Sequence, residues 1–331
     1  EALFSRTYPM DMRPQGHDII RTWLFSTAVR SHLEEDRAPW HHCALSGWIL
    51  DPDRKKMSKS KGNVVTPKGL LDQYGSDAVR YWAANGRPGT DTAFDEGQMK
   101  IGRRLAIKIL NASKFSLTLA SNSEANLSSV SNPLDQALLT KLSDLIETTT
   151  LAFDEFDYAR ALERTEQFFW GFTDDYVELV KARAYGSQGA QEAESAHVTL
   201  KITLETLLRL FAPFLPFVTA EVWSWSHQDS IHAAPWPTPA DLSKGLTKEI
   251  DIRILDAASE TLSEIRRAKT EAKRSLKVKA AKVVVSASKE RIEHVTLIRG
   301  DLVEAGNIDA LELVEHEEAS PSVEVTLADE E

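Results

Sequence analysis

The sequence predicts a mainly α-helical chain in which a long helical bundle lies between two shorter α/β segments. Three observations support this fold class. Amphipathic segments of helical length occupy residues 98–227, a short apolar segment bounded by turn signals precedes them, and helix and strand patterns alternate after residue 250. The 331 residues are sufficient for two or three domains with cores of their own.

Composition excludes several classes of protein. The net charge of −11 argues against a general nucleic-acid coat protein, so a polyanion site must be a local basic patch. Cys43 is the one cysteine, which excludes an internal disulfide and predicts a reducing, cytoplasmic location. The sequence has no apolar run of membrane-spanning length and no signal-peptide pattern at its start, and its lack of an initiator Met indicates part of a longer or processed chain.

The first α/β segment places a cationic loop at the end of a strand. A turn over residues 9–16 precedes a helix from about Asp18, and "CALSGWIL" (43–50) predicts a buried strand that ends at the turn signal "DPD". In open α/β sheets, ligands bind beyond the carboxyl ends of the strands. The loop that follows residue 50 therefore has the position of a phosphate-binding loop.

The middle of the chain predicts an antiparallel helix bundle. Thr66-Pro67 and Ser76-Asp77 are helix starts, and a Pro-rich stretch at 232–245 predicts a linker or strap. The long helices are predicted at 98–120, 133–153, 157–184 and 190–211. The last segment predicts helices at 251–274 and 289–306 and strands at 282–288, 309–315 and 322–328.

The loop "KKMSKSKGNVV" (55–65) is the strongest functional signal in the chain. With Arg54 directly before it, the loop places five cations within eight residues, namely Arg54, Lys55, Lys56, Lys59 and Lys61. Transfer of a nucleotidyl group needs positive charge where the departing pyrophosphate accumulates negative charge, and a mobile loop can supply that charge in the transition state. A solvated basic turn is the alternative. The chain has no Walker-type motif, which excludes an ordinary P-loop NTPase.

The order Lys56-Met57-Ser58-Lys59-Ser60, followed by Lys61-Gly62-Asn63, is identical to the signature loop of class I aminoacyl-tRNA synthetases. The chain resembles that class over its first 120 residues. The resemblance implies the remnant of a Rossmann-type nucleotide-binding domain, with ATP and its Mg²⁺ as substrate and no tightly bound cofactor. It implies catalytic roles for Lys56 and Lys59 and an ATP site formed by Gly16, Asp18, Ile49, Lys56, Met57, Ser58, Lys59 and Ser60.

Two further stretches, "RPQGHDIIRTWLF" (13–25) and residues 89–115, are similar to the valyl-tRNA synthetase family. Isoleucyl- and leucyl-tRNA synthetases of the same branch remain alternatives. The resemblance places Gly16 and Asp18 at the adenosine ribose and the backbone near Ile49 at adenine. Ile19 and Trp23, at i and i+4 of a helix, can bracket a small branched side chain, although a plain helix core gives the same pattern.

Two parts of such an enzyme are missing from the sequence. A valine pocket rejects threonine by only about 10²-fold, so family members have an inserted editing domain. Neither that insertion nor an "HxGH" motif occurs here. The chain therefore corresponds to the C-terminal part of the enzyme, and we expect it to be inactive by itself.

The helix at 98–118 has a second stripe beside its apolar one. Its members are Arg104, Lys108, Asn111 and Phe115, with Lys114 adjacent, a combination that suits unstacked bases and phosphates. By resemblance, Asn111, Lys114 and Phe115 match the positions that contact the valine anticodon. A core Phe115 beside a solvated charged face is the alternative.

The resulting division is a C-terminal half of a class I catalytic domain (1–85), a helical anticodon-binding domain (86–245) and a small α/β module (246–331). The implied function is ATP-dependent activation of valine and its transfer to tRNA(Val) by a monomer without membrane contact. A tRNA-binding module without chemistry is the third hypothesis. The cations of the helix near residue 270 suit either a tRNA backbone or solvent, and His41-His42-Cys43 cannot converge on one metal ion in a strand.

Overall fold

A computed structural model of the chain describes residues 2–120, 126–243, 246, 250–316 and 321–328, without the side chain of Lys59. The chain divides into two compact units, one of Glu1–Ile107 with Leu151–Leu162 and the other of Lys108–Thr150 with Glu163–Glu331. Within the described ranges, no helix is long and apolar enough to span a membrane. The predicted mainly helical fold class is confirmed.

The first unit contains four strands and short helices. The strands are β1 Met10–Gly16, β2 Trp40–Ser46, β3 Ile49–Leu50 and β4 Thr92–Ala93. The helices are α1 Ala2–Thr7, α2 Phe25–Glu35, α3 Pro67–Tyr74, α4 Ser76–Ala84 and the first half of α5 Glu96–Leu119. β1 pairs in parallel with β2, and β3 pairs in parallel with β4.

The predicted buried strand at 43–50 was wrong in two respects. The segment forms two strands separated at Gly47, where an added Cβ would lie 2.2 Å from the Thr90 carbonyl oxygen. The side chains of β2 are half-buried or exposed. Each sheet in the described part of this unit has only two strands, so the strand faces lack the cover of a larger sheet.

The predicted helix from Asp18 begins later as an α-helix. A 3₁₀ turn at His17–Ile19 and a π turn at Ile20–Leu24 precede α2. The neighbouring β-branched residues Ile19 and Ile20 crowd a regular α-helical turn, and π turns are frequent at functional sites. Ile19 and Trp23 therefore do not lie on one α-helical face as the spacing predicted.

A small core supports the end of the cationic loop's strand. Tyr74, Ala78, Trp82 and Met99 form a buried cluster between α3, α4 and α5, and α3 and α4 begin at the predicted residues. The Trp82 indole Nε1 donates to the Ala93 carbonyl at 3.1 Å, which fixes β4 on this cluster. Because β4 pairs with β3, the same core positions the strand from which the loop emerges.

The second unit contains the bundle and the last α/β segment. Its helices are most of α6 Pro133–Asp154 and α7 Tyr158–Gly171, then α8 Val177–Ala184, α9 Ala190–Phe211, α10 Pro216–Trp223, α11 Arg253–Glu271, α12 Lys289–Leu297 and α13 Arg299–Gly306. Its strands are β5 Ala280–Ala287, β6 Ile308–Glu315 and β7 Ser322–Leu327. β5 is the central strand, parallel to β6 and antiparallel to β7. The predicted polar connection after residue 120 lies partly outside the described residues, as does the end of the Pro-rich stretch.

The predicted long helices agree with these bounds within two residues at most ends, with one internal difference. A π turn at Phe172–Tyr176 separates α7 from α8 within the predicted helix 157–184. The predicted helix 289–306 is also divided, at Ile298, whose φ of −110° is not helical. Both changes interrupt the regular α-helical hydrogen-bond pattern that the periodicity predicts.

A buried ionic network connects four helices of this unit. The fully buried Arg183 guanidinium of α8 donates to Asp135 of α6 at 2.6 and 2.8 Å and to Asp301 of α13 at 3.0 and 3.1 Å. The Tyr176 hydroxyl and the α9 Ser195 hydroxyl also donate to Asp135, at 2.7 and 2.6 Å. Two carboxylates thus share one guanidinium, and burial raises the pKa of Asp301 to about 6.

Candidate functional site

The cationic loop is an ordered hairpin rather than a loose turn. Leu50 and Lys56 form an antiparallel bridge, and the Asp51 amide donates to the Lys55 carbonyl at 2.8 Å. Arg54 closes the turn with a φ of +61°, and its amide donates to the Asp51 carbonyl at 2.9 Å. The hairpin directs the cationic residues 54–61 beyond the carboxyl end of β3, as the sequence predicted.

Asp51 and Asn63 close the base of this hairpin. The Asp51 carboxylate, 7% exposed, accepts from the Lys55 amide at 2.7 Å and from the Asn63 side chain at 2.8 Å. The Asn63 side chain also accepts from the Ser58 amide at 2.9 Å and donates to the Lys56 carbonyl at 3.3 Å. The hydrogen bonds that Asp51 accepts, from the Asn63 side chain first and then from the Lys55 amide, lower the pKa of Asp51. Its carboxylate therefore stays ionised at neutral pH.

The predicted catalytic lysines differ in what the structure shows of them. The Lys56 ammonium lies over the Trp48 ring, 2.9 Å from its centroid. Lys59 begins a 3₁₀ turn, Lys59–Lys61, and its side chain lies outside the described part of the chain. Met57 and Ser58 are half-buried, and the exposed Ser60 has its hydroxyl 3.3 Å from that of Ser58.

The turn after β1 lies beside the cationic loop. Gly16 ends β1, and a Cβ at this position would lie 2.8 Å from the Asp18 carboxylate, so glycine leaves this surface open. The Asp18 side chain is exposed. His17, between them, contacts the Trp48 ring edge-on at 4.6 Å, and Trp48 contacts Lys56. The structure therefore brings together the predicted ribose-binding and phosphate-binding positions.

Ile49 presents its own peptide groups to the edge of β3 that faces away from β4. The Trp48 carbonyl accepts from the Thr92 amide and the Leu50 carbonyl from the Phe94 amide, both at 2.8 Å. Peptide groups of successive residues in a strand alternate in direction. The Ile49 amide and carbonyl are therefore directed to the other edge, as backbone recognition of a base requires.

The predicted amino-acid pocket residues are both accessible. Ile19 and Trp23 are each 37% exposed. The Arg13 guanidinium lies 3.8 Å from the centroid of the Trp23 ring, and Trp40 stacks on the same indole at 6.0 Å. Trp23 is thus fixed by β1 and β2.

The predicted nucleic-acid stripe lies on the outer face of α5. Asn111 and Lys114 are exposed, and Phe115 is half-buried with the Lys181 ammonium 5.4 Å from its ring. Lys108 is engaged by Asp174 at 2.7 Å. The apolar stripe packs inward as predicted, with Leu105 and Ile109 at 0% and 1% exposure.

Most of the cations of α11 have partners within the protein. Arg266 pairs with Asp175 at 3.5 Å, and Arg267 pairs with Glu264 at 2.5 Å. Lys269 is buried and donates to the Gly306 carbonyl at 2.7 Å. These contacts favour a structural role for this helix over a phosphate-binding one.

Sequence reasoning missed Asp51, Trp48 and the structural role of Asn63. The only local signal for Asp51 was its place in the turn "DPD", and Asn63 was noted only as part of the signature. An Asp at the start of a turn accepts bonds from backbone amides of that turn. That signal could have identified the anchor, whereas nothing local indicates that Trp48 contacts Lys56.

Two family models match separate parts of the chain. Residues 1–95 match the model described as tRNA synthetases class I (I, L, M and V), and residues 135–285 match that of the anticodon-binding domain of tRNA ligase. The first match includes the cationic hairpin. The chain is therefore similar to class I tRNA synthetases in its first part and to the anticodon-binding domain of tRNA ligase in its middle part.

Two curated relatives that are similar to nearly the whole chain are named valine–tRNA ligases. That of Thermobifida fusca (strain YX) is 55% identical over 327 residues, which cover 98% of this chain and 37% of the relative. That of Salinispora tropica is 51% identical over 95% of this chain and 38% of the relative. These relatives confirm the predicted resemblance to the valyl-tRNA synthetase family, and the chain spans little more than a third of their length.

Solved structures show the same fold class. The ternary LeuRS–tRNA–LeuAMS complex of Agrobacterium radiobacter K84 agnB2 matches 73% of this chain and 31% of that chain, with a TM-score of 0.57 and 21% identity. The Mycobacterium tuberculosis methionyl-tRNA synthetase with methionyl-adenylate matches 67% of this chain and 45% of that chain, with a TM-score of 0.52 and 25% identity.

Proposed function

We propose that the complete protein containing this chain is a valine–tRNA ligase. In this reaction the valine carboxylate attacks the α-phosphorus of ATP, pyrophosphate leaves, and valyl-adenylate forms. A ribose hydroxyl at the 3′ end of tRNA(Val) then attacks the valyl carbonyl and AMP leaves. The observation that supports this proposal most directly is the ordered cationic hairpin beyond β3, in a chain that is 55% identical to a valine–tRNA ligase.

The hairpin supplies the positive charge that pyrophosphate departure requires. Lys56 and Lys59 neutralise the triphosphate, and the loop segment Met57, Ser58 and Ser60 adds hydroxyl and backbone donors. Fixed donors at the site of developing charge stabilise a transition state by several kcal/mol, about 10²- to 10³-fold in rate for each donor. Mg²⁺ enters with ATP as part of the substrate, and we propose no tightly bound cofactor.

The turn after β1 and the edge of β3 bind the nucleoside and the amino acid. Gly16 allows close approach of the ribose, and the Asp18 carboxylate accepts its hydroxyl protons. The Ile49 peptide groups contact adenine. Ile19 and Trp23 bound the valine side chain, with Trp23 held between β1 and β2 by Arg13 and Trp40.

The helical part recognises the tRNA. Residues 86–245 form the anticodon-binding domain, in which Asn111, Lys114 and Phe115 contact the anticodon. Asn111 hydrogen-bonds a base edge, Lys114 neutralises the backbone and Phe115 stacks on a base. Residues 1–85 are the C-terminal half of the catalytic domain, and residues 246–331 are an α/β module. We further propose a cytoplasmic monomer, since no bound partner other than tRNA(Val), ATP and valine is needed for this chemistry.

Pyrophosphate exchange by the complete protein tests the proposal. We expect exchange that depends on valine, and a loss of about 10²-fold or more for Lys59→Ala and Lys56→Ala. Lys68→Ala on α3, an exposed lysine outside the loop, is the matched control. Exchange that depends on isoleucine or leucine instead would exclude the valine assignment, and the absence of any exchange would leave a tRNA-binding module.

A further inference from the structure

We propose that Trp48 is a positioning residue that holds the Lys56 ammonium in the resting hairpin, so that ATP must displace this ammonium from the indole to engage it. The proposal rests on the proposed function, because it assigns a restraint to a lysine of the ATP site. It concerns how the site is regulated before substrate arrives, and it makes the ring of Trp48 a competitor of the triphosphate.

The geometry of the pair carries the proposal. The Lys56 ammonium lies 2.9 Å from the centroid of the Trp48 ring, and Trp48 is half-buried while Lys56 is exposed. Trp is the aromatic residue that attracts a cation over its face most strongly. The ring covers one side of this ammonium, so a phosphate oxygen cannot approach the ammonium from that side.

Both the backbone and the ring of Trp48 are fixed. The Trp48 backbone amide donates to the Asp91 carboxylate at 2.7 Å, and the Trp48 carbonyl accepts from the Thr92 amide at 2.8 Å. The His17 ring packs edge-on against the indole at 4.6 Å and 89°, and its Nδ1 lies 2.9 Å from the Ser46 carbonyl oxygen. The Trp48 ring is therefore held in place by its neighbours, and Lys56 belongs to the loop that this ring restrains.

The contact is specific to Lys56 among the described side chains of the loop. Arg54, Lys55 and Lys61 are exposed, and none of them lies over an aromatic ring. While the ring holds the Lys56 ammonium, ATP lacks that charge contact in the ground state and binds more weakly. When the ammonium leaves the ring and reaches the phosphates in the transition state, the rate rises. Removal of the ring should therefore tighten ATP binding without raising the turnover number.

The test is the dissociation constant of ATP with Mg²⁺ for the complete protein, measured by calorimetry, together with kcat for valine-dependent pyrophosphate exchange. For Trp48→Leu we expect ATP to bind about 3- to 10-fold more tightly, the range of one partly exposed cation–π contact, with kcat unchanged or lower. Trp48→Phe keeps a ring face and should bind ATP within about twofold of the unsubstituted protein. In a Lys56→Ala background, Trp48→Leu should change nothing.

Other outcomes would overturn the proposal separately from the proposed function. Unchanged or weaker ATP binding by Trp48→Leu, or equal tightening in the Lys56→Ala background, would show that Trp48 does not restrain Lys56. Neither result would contradict valine-dependent exchange. Trp225→Leu is the control for loss of a half-exposed indole, since Trp225 is 39% exposed and donates to Glu221. Thermal midpoints of all variants identify any effect that arises from unfolding. Absence of valine-dependent exchange in the unsubstituted protein would instead contradict the proposed function.

Discussion

At the scale of single residues, the Asp51–Asn63 contact determines the shape of the cationic hairpin. A nearly buried carboxylate and one amide side chain together satisfy two backbone amides and one backbone carbonyl of the loop. Neither side chain has to touch ATP for this effect. Their substitution should therefore reduce the rate by disordering the loop rather than by removing a ligand contact.

We expect Asn63→Ala to lower kcat for pyrophosphate exchange by about 10- to 100-fold, because each lysine then samples positions away from the transition state. The thermal midpoint should change little, since the loop is exposed. Asn126→Ala, which removes a cap of the Ser128 amide in the second unit, is the matched control. An Asn63→Ala variant with full activity would show that the hairpin orders itself without this clamp.

Phe115 should contribute base stacking to tRNA binding. Loss of one stacked base costs about 1–3 kcal/mol, so Phe115→Ala should weaken binding of tRNA(Val) by about 5- to 100-fold. Filter binding of the intact transcript and of a transcript that lacks the anticodon loop measures the effect, which should vanish when the loop is absent because stacking tolerates any base. Phe217→Ala, which removes a phenyl ring exposed by 64% on α10, is the control. Equal losses for both transcripts would mean that Phe115 does not contact the anticodon.

At the scale of elements, local signals predicted the helices and long-range contacts determined the rest. The periodicity and caps of α5, α6 and α9 lie within each segment, so their ends agree with prediction within two residues. The π turns and the division at Ile298 depend on packing partners that are distant in sequence. The Arg183 network is of the same kind, since its carboxylates lie 48 and 118 residues away.

The same limit applies to the candidate site. The apolar segment ending at the turn "DPD" and the order of residues 56–63 were sufficient to predict a cationic loop after a strand, and the chemistry assigned to that loop stays a prediction. These features could not predict that Trp48 contacts Lys56, because that contact depends on the turn that pairs Lys56 with Leu50. The exposure of β2 also escaped prediction, since an apolar strand pattern does not state how many neighbouring strands accompany it.

Arg183→Met should strongly destabilise the second unit. The substitution leaves the buried carboxylates of Asp135 and Asp301 without their shared cation, and breaking a buried ion pair costs about 3–5 kcal/mol. Denaturant unfolding followed by circular dichroism measures the change. Arg160→Met, which removes a surface partner of Asp157, should change stability by less than about 1 kcal/mol. Similar losses for the two variants would contradict the importance of the buried network.

The pH dependence of stability should reveal Asp301. Its pKa is raised from 3.8 to about 6 in the folded chain, so folding favours its protonated form. The associated stability is full below pH 3.8 and is lost as pH rises through about 6. As pH rises from 4 to 6, the free energy of unfolding of the unsubstituted protein should fall by about 1–3 kcal/mol more than that of the Asp301→Asn variant. Parallel pH profiles would contradict this assignment.

At the scale of the whole molecule, we expect charge to confine the proposed tRNA contact to a small part of the surface. The net charge is −11, and α11 neutralises many of its cations internally. Lys114 of α5 remains exposed. The chain should consequently bind tRNA through few phosphate contacts, with its specificity placed in base contacts.

The salt dependence of tRNA affinity tests this distribution. Each phosphate contact to a single strand contributes about −0.7 to the slope of log K against log salt concentration. Lys114→Ala should reduce the magnitude of the slope by about that amount, whereas Arg267→Ala should leave it unchanged. A change for Arg267→Ala in place of Lys114→Ala would assign the backbone contacts to α11.

The hairpin is closed by Asp51 and Asn63, which lie outside the run of lysines between them. Its scaffold is thus independent of the groups that it displays. Neutral residues can replace the lysines one at a time without removing the side chains that shape the turn. Substitution of one lysine at a time along this segment would then measure electrostatic effects while the backbone of the turn stays unaltered.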